Sequence, residues 1–318
     1  MKVICKVGRE DIATVYIARM GTGKFIEFVE SVQPNLPKKE KWVLIVSTLY
    51  GCPIGCRFCD AGSQFQGKLS KKEILSQIDY LVAKSFPNRN IPVKKFKIQF
   101  ARMGEPALND AVLDILHVLP EIYDAPGLMP CISTVAPDGT EPFFEKLLSI
   151  KKERYSHRFQ LQFSIHSTDE KLRDWLIPVK KWNFAKIAEY GNTFYDEGGR
   201  KITLNFALAD GFSIDPNILL KYFDPNVFLI KFTPVNPTYA AKRNQILSKD
   251  IAKKWDRIIE LLCAMGYEAI LSIGEIEENS IGSNCGQYVL RHKAENDGIE
   301  GAYSYDFTYF EEEYLTEV

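Results

Sequence analysis

Short extended patterns open the chain. Residues 1 to 40 carry VICKV, ATVYIAR and FIEFVESV, broken by Gly21, Gly23 and the stretch from Pro34 to Pro37, and this predicts a small β extension. From Trp42 onward, apolar β-rich runs alternate with helical patterns. The runs are WVLIVST (42–48), KFKIQFA (95–101), CISTV (131–135), LQFSIHS (161–167), ITLNFAL (202–208), VFLIKF (227–232) and EAILSI (268–273). A helix is predicted over 71–85, opened by the capping box Ser70-Lys71-Lys72-Glu73. The clearest helical stripe is SKDIAKKWDRIIELLCAMGY, in which Ile251, Trp255, Ile258, Ile259 and Leu262 recur on one side. Strand, helix, strand, repeated roughly six times, argues for an α/β fold whose parallel sheet is closed or half closed into a barrel. No short-period repeat of the solenoid kind is present.

Composition narrows the class. At 318 residues, 46% hydrophobic and 25% charged, the chain has room for a substantial core, which excludes wholesale disorder and collagen-like structure. No apolar run is long enough to span a membrane, and MKVICKVGRED lacks a secretory h-region, so a cytoplasmic protein with no membrane partner is expected. Eight of the 41 acids and none of the 40 basic residues fall in 294–318, so an acidic tail follows a body of net charge +7. A body of that charge is compatible with RNA but does not select it.

Seven cysteines are an odd number, and three of them crowd into eight residues, a pattern of metal binding and not of disulfides. Cys52-Pro53-Ile54-Gly55-Cys56-Arg57-Phe58-Cys59 follows directly on the run WVLIVST. Three thiolates in a short loop can grip three corners of an iron–sulfur cubane and leave the fourth iron open to substrate. A zinc knuckle would want a fourth Cys or His at close spacing, and a loop of unrelated cysteines is the remaining alternative.

The spacing Cys-x3-Cys-x2-Cys, with Phe58 just before the last Cys, resembles the radical S-adenosylmethionine (SAM) superfamily. RMGEPALN (102–109), ISTVAPDG, SIHSTDEKLRDWLIPV, FTPVNP and NCGQY resemble, in order, further motifs of its RlmN/Cfr methyl synthase family, over about Glu30 to Tyr288. Members of that family methylate an adenine carbon of ribosomal RNA, and in some cases transfer RNA, with two molecules of SAM. The resemblance implies a partial (β/α)6 radical-SAM barrel over 41–275, with the N-terminal β extension over 1–40 and a C-terminal loop and acidic tail over 276–318. It implies a 4Fe-4S cluster on Cys52, Cys56 and Cys59, and SAM bound among Phe58, Gly104, Glu105, Ser133, Ser164, Ile165, His166 and Asn236. It makes Cys285 the cysteine that carries the methyl-derived carbon and Glu30, in VESV, a catalytic base. An electron-donor protein such as a flavodoxin or ferredoxin is implied as a partner. Independently of the resemblance, Cys52, Gly104, Ser133, His166 and Asn236 all fall at or just past the carboxyl ends of predicted strands, which in a barrel is one face.

Two departures stand beside the matches. The family has a second cysteine seven residues before the first cluster cysteine, and here that position is Ile45. Without a resolving thiol, disulfide-type release cannot run by the usual route, so Cys5 or Cys131 substitutes or the reaction differs. The family also commonly carries a helical RNA-binding domain ahead of its β extension, for which residues 1–40 leave no room. Lys38, Lys39 and Lys41, Lys151, Lys152 and Arg154, and Lys180 and Lys181 are candidates for a phosphate-binding rim, although such runs are usually solvated faces. The tail AYSYDFTYFEEEYLTEV either packs as an edge strand or covers the mouth of the site. The leading expectation is transfer of a methyl-derived carbon through Cys285 to an sp2 carbon such as that of an RNA adenine. The alternatives are radical hydrogen abstraction from a small molecule or other non-RNA substrate, and a non-catalytic iron–sulfur or RNA-binding module.

Overall fold

Period-two alternation decides the architecture. The computed structural model describes residues 1–32, 36–62, 64–246, 251–272, 278, 281–283, 287–294 and 303–316. Strands β1 (Lys2–Arg9), β2 (Ala13–Arg19) and β3 (Phe25–Val32) form an antiparallel meander. It does not stand apart, because β3 pairs antiparallel with β4 (Trp42–Val46). Beyond β4, strands β5 (Phe96–Phe100), β6 (Leu128–Thr134), β7 (Gln160–Ser164), β8 (Ile202–Leu208), β9 (Phe228–Pro234) and β10 (Ala269–Leu271) follow side by side, all parallel. The acidic tail supplies β11 (Thr308–Glu313), an edge strand antiparallel to β1. The resulting 11-stranded sheet runs from β10 to β11 without closing. This mixed α/β architecture, with an open run of parallel strands, is the expected fold class.

Helices fill the crossovers. These are α1 (Lys71–Ser85), α2 (Ala111–Ile122), α3 (Glu141–Ile150, continued by a π-helical turn over Lys151–Tyr155), α4 (Glu170–Leu176), α5 (Phe184–Phe194), α6 (Pro216–Tyr222), α7 (Tyr239–Arg243) and α8 (Ile251–Ala264), with α9 (Tyr288–Ala294) after β10. The α1 capping box forms as its sequence predicts: the Glu73 N–H donates to Ser70 Oγ, and the Ser70 N–H donates to Glu73 Oε2 at 2.9 Å. Residues 248–250 of the expected 248–267 helix lie outside the described residues. No helix among the described residues is long and apolar enough to cross a membrane.

On β5, Phe96, Ile98 and Phe100 are fully buried, and in register with them stand Leu44, Ile132, Leu161, Phe163, Leu204 and Ile230, each almost fully buried. Burying each such side chain contributes about 1.5–3 kcal/mol, so this face holds the sheet. The alternate positions are Gln99, Ser133, Gln162, Ser164, Asn205 and Lys231, and the face they form is polar. Parallel sheets normally bury both faces. A polar face on one of them has to line a space that water or a ligand fills.

Two strands end earlier than their apolar runs suggest. β7 stops at Ser164 because the Ile165 and His166 N–H groups both donate to Asn205 O, and His166, at φ +65°, turns the chain off the sheet. β4 stops at Val46 because the Ser47 N–H donates to the Gln77 side chain at 2.8 Å and the Thr48 N–H to Met103 O.

One buried ion pair ties distant parts together. Glu27 on β3 and Arg102 just past β5 lie 2.9 Å apart, both almost wholly excluded from solvent. Arg102 also donates to the carbonyls of Gly282 and Ser283, while Glu27 accepts the Val289 N–H at 3.2 Å. Arg102→Ala leaves Glu27 buried without its partner and is expected to cost about 3–5 kcal/mol in urea denaturation. The double change Glu27→Leu, Arg102→Met is expected to cost less than Arg102→Ala alone; a larger loss for the double would show that the pair itself is not the source of the effect.

Candidate active site

The loop after β4 is built to bring three thiols together. Gly51 stands at φ +75°, and a Cβ there would meet the Gln64 carbonyl oxygen at 2.5 Å, so only glycine makes this turn into Cys52. The loop is braced from outside: the Arg57 N–H donates to Leu176 O at 3.0 Å, Thr238 Oγ1 to Phe58 O at 2.7 Å, and Asn244 Nδ2 to Arg57 O at 2.7 Å. Asp60, next after Cys59, accepts the first N–H groups of α7 from Tyr239 and Ala240, and the Tyr303 hydroxyl. That hydroxyl in turn accepts the Gln287 N–H at 2.7 Å.

Inside, burial and crowding hold two of the thiols protonated. Burial, then the neighbouring Cys59 and Cys52, hold Cys56 well above its ordinary value, and burial pushes Cys52 up to about 12. Three thiols gathered this way resist ionisation until a metal centre takes them, at which point their protons leave. Among the described residues, no three His, Cys, Asp or Glu side chains stand close enough to share a single ion, so the four-ligand set of a zinc knuckle is not present among them. Thiolates on a cubane each hold a different iron and stand farther apart, which is the arrangement open to Cys52, Cys56 and Cys59.

These cysteines line a cavity of about 280 Å3 together with Phe58, Gly104, Glu105, Ser133, Ser164, His166 and Asn236. Gly104, at φ +105°, passes so close to Leu49 that a Cβ would lie 2.8 Å from its backbone nitrogen. This approach presents Glu105, whose carboxylate accepts the Ala107 and Val135 N–H groups at 3.1 and 2.9 Å. Burial raises its pKa, against the pull of the Thr134 hydroxyl and those two N–H groups. A buried carboxylate of this kind is stabilised by a cation, such as the ammonium of an amino acid. His166 Nδ1 accepts the Ala207 N–H at 3.1 Å, so Nε2 carries the proton and the ring is a donor. Burial, aided by Arg173, pushes its pKa down to about 3, and the edge of Phe58 packs against it. Asn236 Nδ2 and Gln287 Nε2, both buried and both lining the cavity, have no hydrogen-bond partner among the described residues. Orphaned amide donors facing a cavity want acceptors from a ligand.

No family model matches the sequence. The dual-specificity RNA methyltransferase RlmN of Wolinella succinogenes is 28% identical over 306 residues, covering 90% of this chain and 83% of that protein. A probable dual-specificity RNA methyltransferase RlmN of Desulfitobacterium hafniense strain Y51 is also 28% identical, over 297 residues, 90% of this chain and 77% of its own. A radical SAM methyltransferase from Sphaerobacter thermophilus superposes with a TM-score of 0.68 at 22% identity, covering 89% of this chain and 79% of that one. Sequence and fold resemble the RlmN/Cfr type of the radical SAM family. The chain is therefore an enzyme.

Not every residue expected from the family resemblance converges. Ile165 is fully buried, ties β7 to β8 through its N–H, and is not part of the cavity lining. Glu30 is on the wrong face: paired with Leu44, it points with Trp42 toward the helices, where it accepts from Lys38 Nζ at 2.5 Å and Trp42 Nε1 at 2.9 Å. The same alternation sends Glu27 and Ser31 to the other side, so Glu30 is not a base at this cavity. Cys285 lies outside the described residues. Ile45 pairs with Gln99, a lining residue, and so shares the face of the cavity. Cys5 is fully buried in the hydrophobic core, whereas Cys131, also fully buried, pairs with Gln99 on the cavity side of β6 and accepts from Gln162 Nε2 at 2.9 Å without itself lining the cavity. The sequence reading missed Gln99, Gln162, Asn205, Lys231, Glu278 and Gln287. For those on strands, the signal was present as polar residues at every second position of otherwise apolar runs.

Two measurements probe the site. Gly104→Ala is expected to abolish SAM binding by equilibrium dialysis while the fold is retained by circular dichroism; binding within twofold of the parent would remove Gly104 from the site. His166 has a folded pKa below its unfolded value of 6.5, so its neutral form contributes stability above pH 6.5 that is lost as pH falls toward 3. The stability difference between the parent and His166→Gln should therefore shrink between pH 6.5 and pH 4, and a constant difference would contradict a buried neutral imidazole.

Proposed function

We propose that this enzyme transfers a methyl-derived carbon from SAM, by way of Cys285, to an sp2 carbon of RNA. The observation that carries the reading is one cavity on the polar sheet face lined by Cys52, Cys56, Cys59, Glu105, His166 and the orphaned amides of Asn236 and Gln287. The 28% identity to RlmN proteins over 90% of the chain supports RNA as the substrate class.

In this reading Cys52, Cys56 and Cys59 hold a 4Fe-4S cluster, which when bound supplies the electron that cleaves the sulfonium of SAM. Glu105 faces the ammonium of the methionine part, where its buried charge is neutralised. The His166 Nε2–H, the hydroxyls of Ser133 and Ser164 and the amides of Asn236 and Gln287 donate to ribose and carboxylate oxygens. Phe58 keeps water from one side of the ring they surround. Together these groups fix the orientation of the cofactor before any bond breaks. A flavodoxin or ferredoxin is the proposed electron donor.

A second reading is favoured by Ile45. It stands on the cavity face where the family has a thiol, while Cys5 is sealed in the core and Cys131, on the cavity side of β6, is fully buried against Gln162. In that reading the radical abstracts hydrogen from another substrate and no carbon passes through Cys285.

Peptide mass analysis of anaerobically prepared, cluster-loaded protein separates the two. The first reading expects an added methyl on the Cys285 peptide, and Cys285→Ala protein that still cleaves SAM but forms no methylated RNA. An unmodified Cys285 in protein that makes deoxyadenosine without S-adenosylhomocysteine would move the assignment to hydrogen abstraction.

A further inference from the structure

A cluster of cations lies at the other end of the polar face. The Trp42 N–H donates to Lys95 O at 3.0 Å, and Trp42 pairs with Phe96, which sets Lys41 beside Lys95 at the start of β4 and β5. By alternation, Lys95 and Lys97 share the face of Gln99, the cavity residue two positions further along. Glu40, next to Lys41, is taken by Lys94 at 2.9 Å, and Glu278 of the cavity lining acts on Lys41. Among the described residues, neither Lys95, Lys97 nor Arg200 makes an ion pair with a carboxylate.

We propose that Lys41, Lys95 and Lys97 form a phosphate site, filled by a backbone phosphate of the RNA on which the preceding reading rests. At about 3.3 Å per residue, Lys97 lies roughly 7 Å along the strand from Gln99, within the reach of a nucleotide whose base enters the cavity. Like charges held together on half-buried side chains destabilise the empty protein, and an anion removes that cost. The strain registers on the lysines themselves. Burial, then Arg200, Lys41 and Lys97, push Lys95 down to about 8, and burial with Lys97 and Arg200 lowers Lys41, which Glu278 partly offsets.

The test is fluorescence anisotropy of a labelled, adenine-containing RNA hairpin with full-length, cluster-loaded protein across a salt series. Lys95→Gln with Lys97→Gln is expected to weaken binding roughly tenfold and to flatten the log–log salt dependence by about 0.7–0.9 for each lysine charge removed. Lys41→Gln should do the same in smaller measure, and Lys71→Gln with Lys72→Gln on the outer face of α1 should do nothing. The lysine variants should melt no lower than the parent, because they relieve repulsion. Unchanged affinity and salt slope in both site variants would overturn the site and leave the RNA reading standing. Adenosine monophosphate and inorganic phosphate separate the sources. If the parent ignores RNA but either compound raises its melting temperature in a Lys95-dependent way, the phosphate site stands and RNA as substrate falls. No response to RNA, nucleotide or phosphate would overturn the site.

Discussion

A parallel β-sheet normally hides both faces in hydrocarbon, and strands β5 to β9 hide only one. The apolar face, from Leu44 through Phe100, Phe163 and Ile230, binds the helices and carries most of the burial energy. The other face holds Gln99, Ser133, Gln162, Ser164, Asn205 and Lys231, none of which would be tolerated against a packed layer without partners. This asymmetry makes the sheet a cradle. The loops at its carboxyl ends then need only supply metal ligands and a carboxylate, and the remainder of the binding surface is already set by strand register.

The segments flanking Cys285 reach this cradle through buried polar contacts and not through a hydrophobic seam alone. Arg102, adjacent to the Met103-Gly104-Glu105 turn, holds the carbonyls of Gly282 and Ser283; its partner Glu27 holds the Val289 N–H. Tyr303 bridges Gln287 to Asp60 at the end of the cysteine loop. Buried pairs of this kind add little net stability against a hydrophobic alternative, but they are directional and tolerate few registers. Chain positions on both sides of residues 284–286 are thereby fixed relative to the thiols and to Glu105 before any ligand binds.

Much of this was legible in the sequence because the signals are local. Strand runs, the Ser70 capping box and the Cys-x3-Cys-x2-Cys loop each depend on neighbours within a few residues, and the carboxyl-end placement of Cys52, Gly104, Ser133, His166 and Asn236 follows from strand order alone. What was not legible depends on pairing between distant segments. Glu30 and Glu27 are equally plausible acids on paper; which face each takes is decided by β3 pairing with β4, where Glu30 falls opposite Leu44. Gln287 enters the lining only because Tyr303 fixes its backbone. The early end of β7 rests on one residue, His166, in a left-handed conformation that composition does not announce.

Sheet order also settles a conflict that composition raised. An acidic tail beside a weakly basic body would repel a polyanion if the two charges met. The tail pairs with β1, and β2 and β3 separate that strand from β4, so four strand spacings of about 4.8 Å, or roughly 19 Å, lie between β11 and the start of β4. This is about twice the screening length of roughly 8–10 Å at physiological salt. Lys2 pairs with Glu311 at 2.7 Å, which reduces the tail's field further. The acids of β11 instead suit an edge strand, where charge discourages pairing with a second chain. The protein thus carries the acids of β11 at one edge of the sheet, apart from the face that runs from Lys95 to the cysteines and meets the phosphate-bearing substrate proposed above.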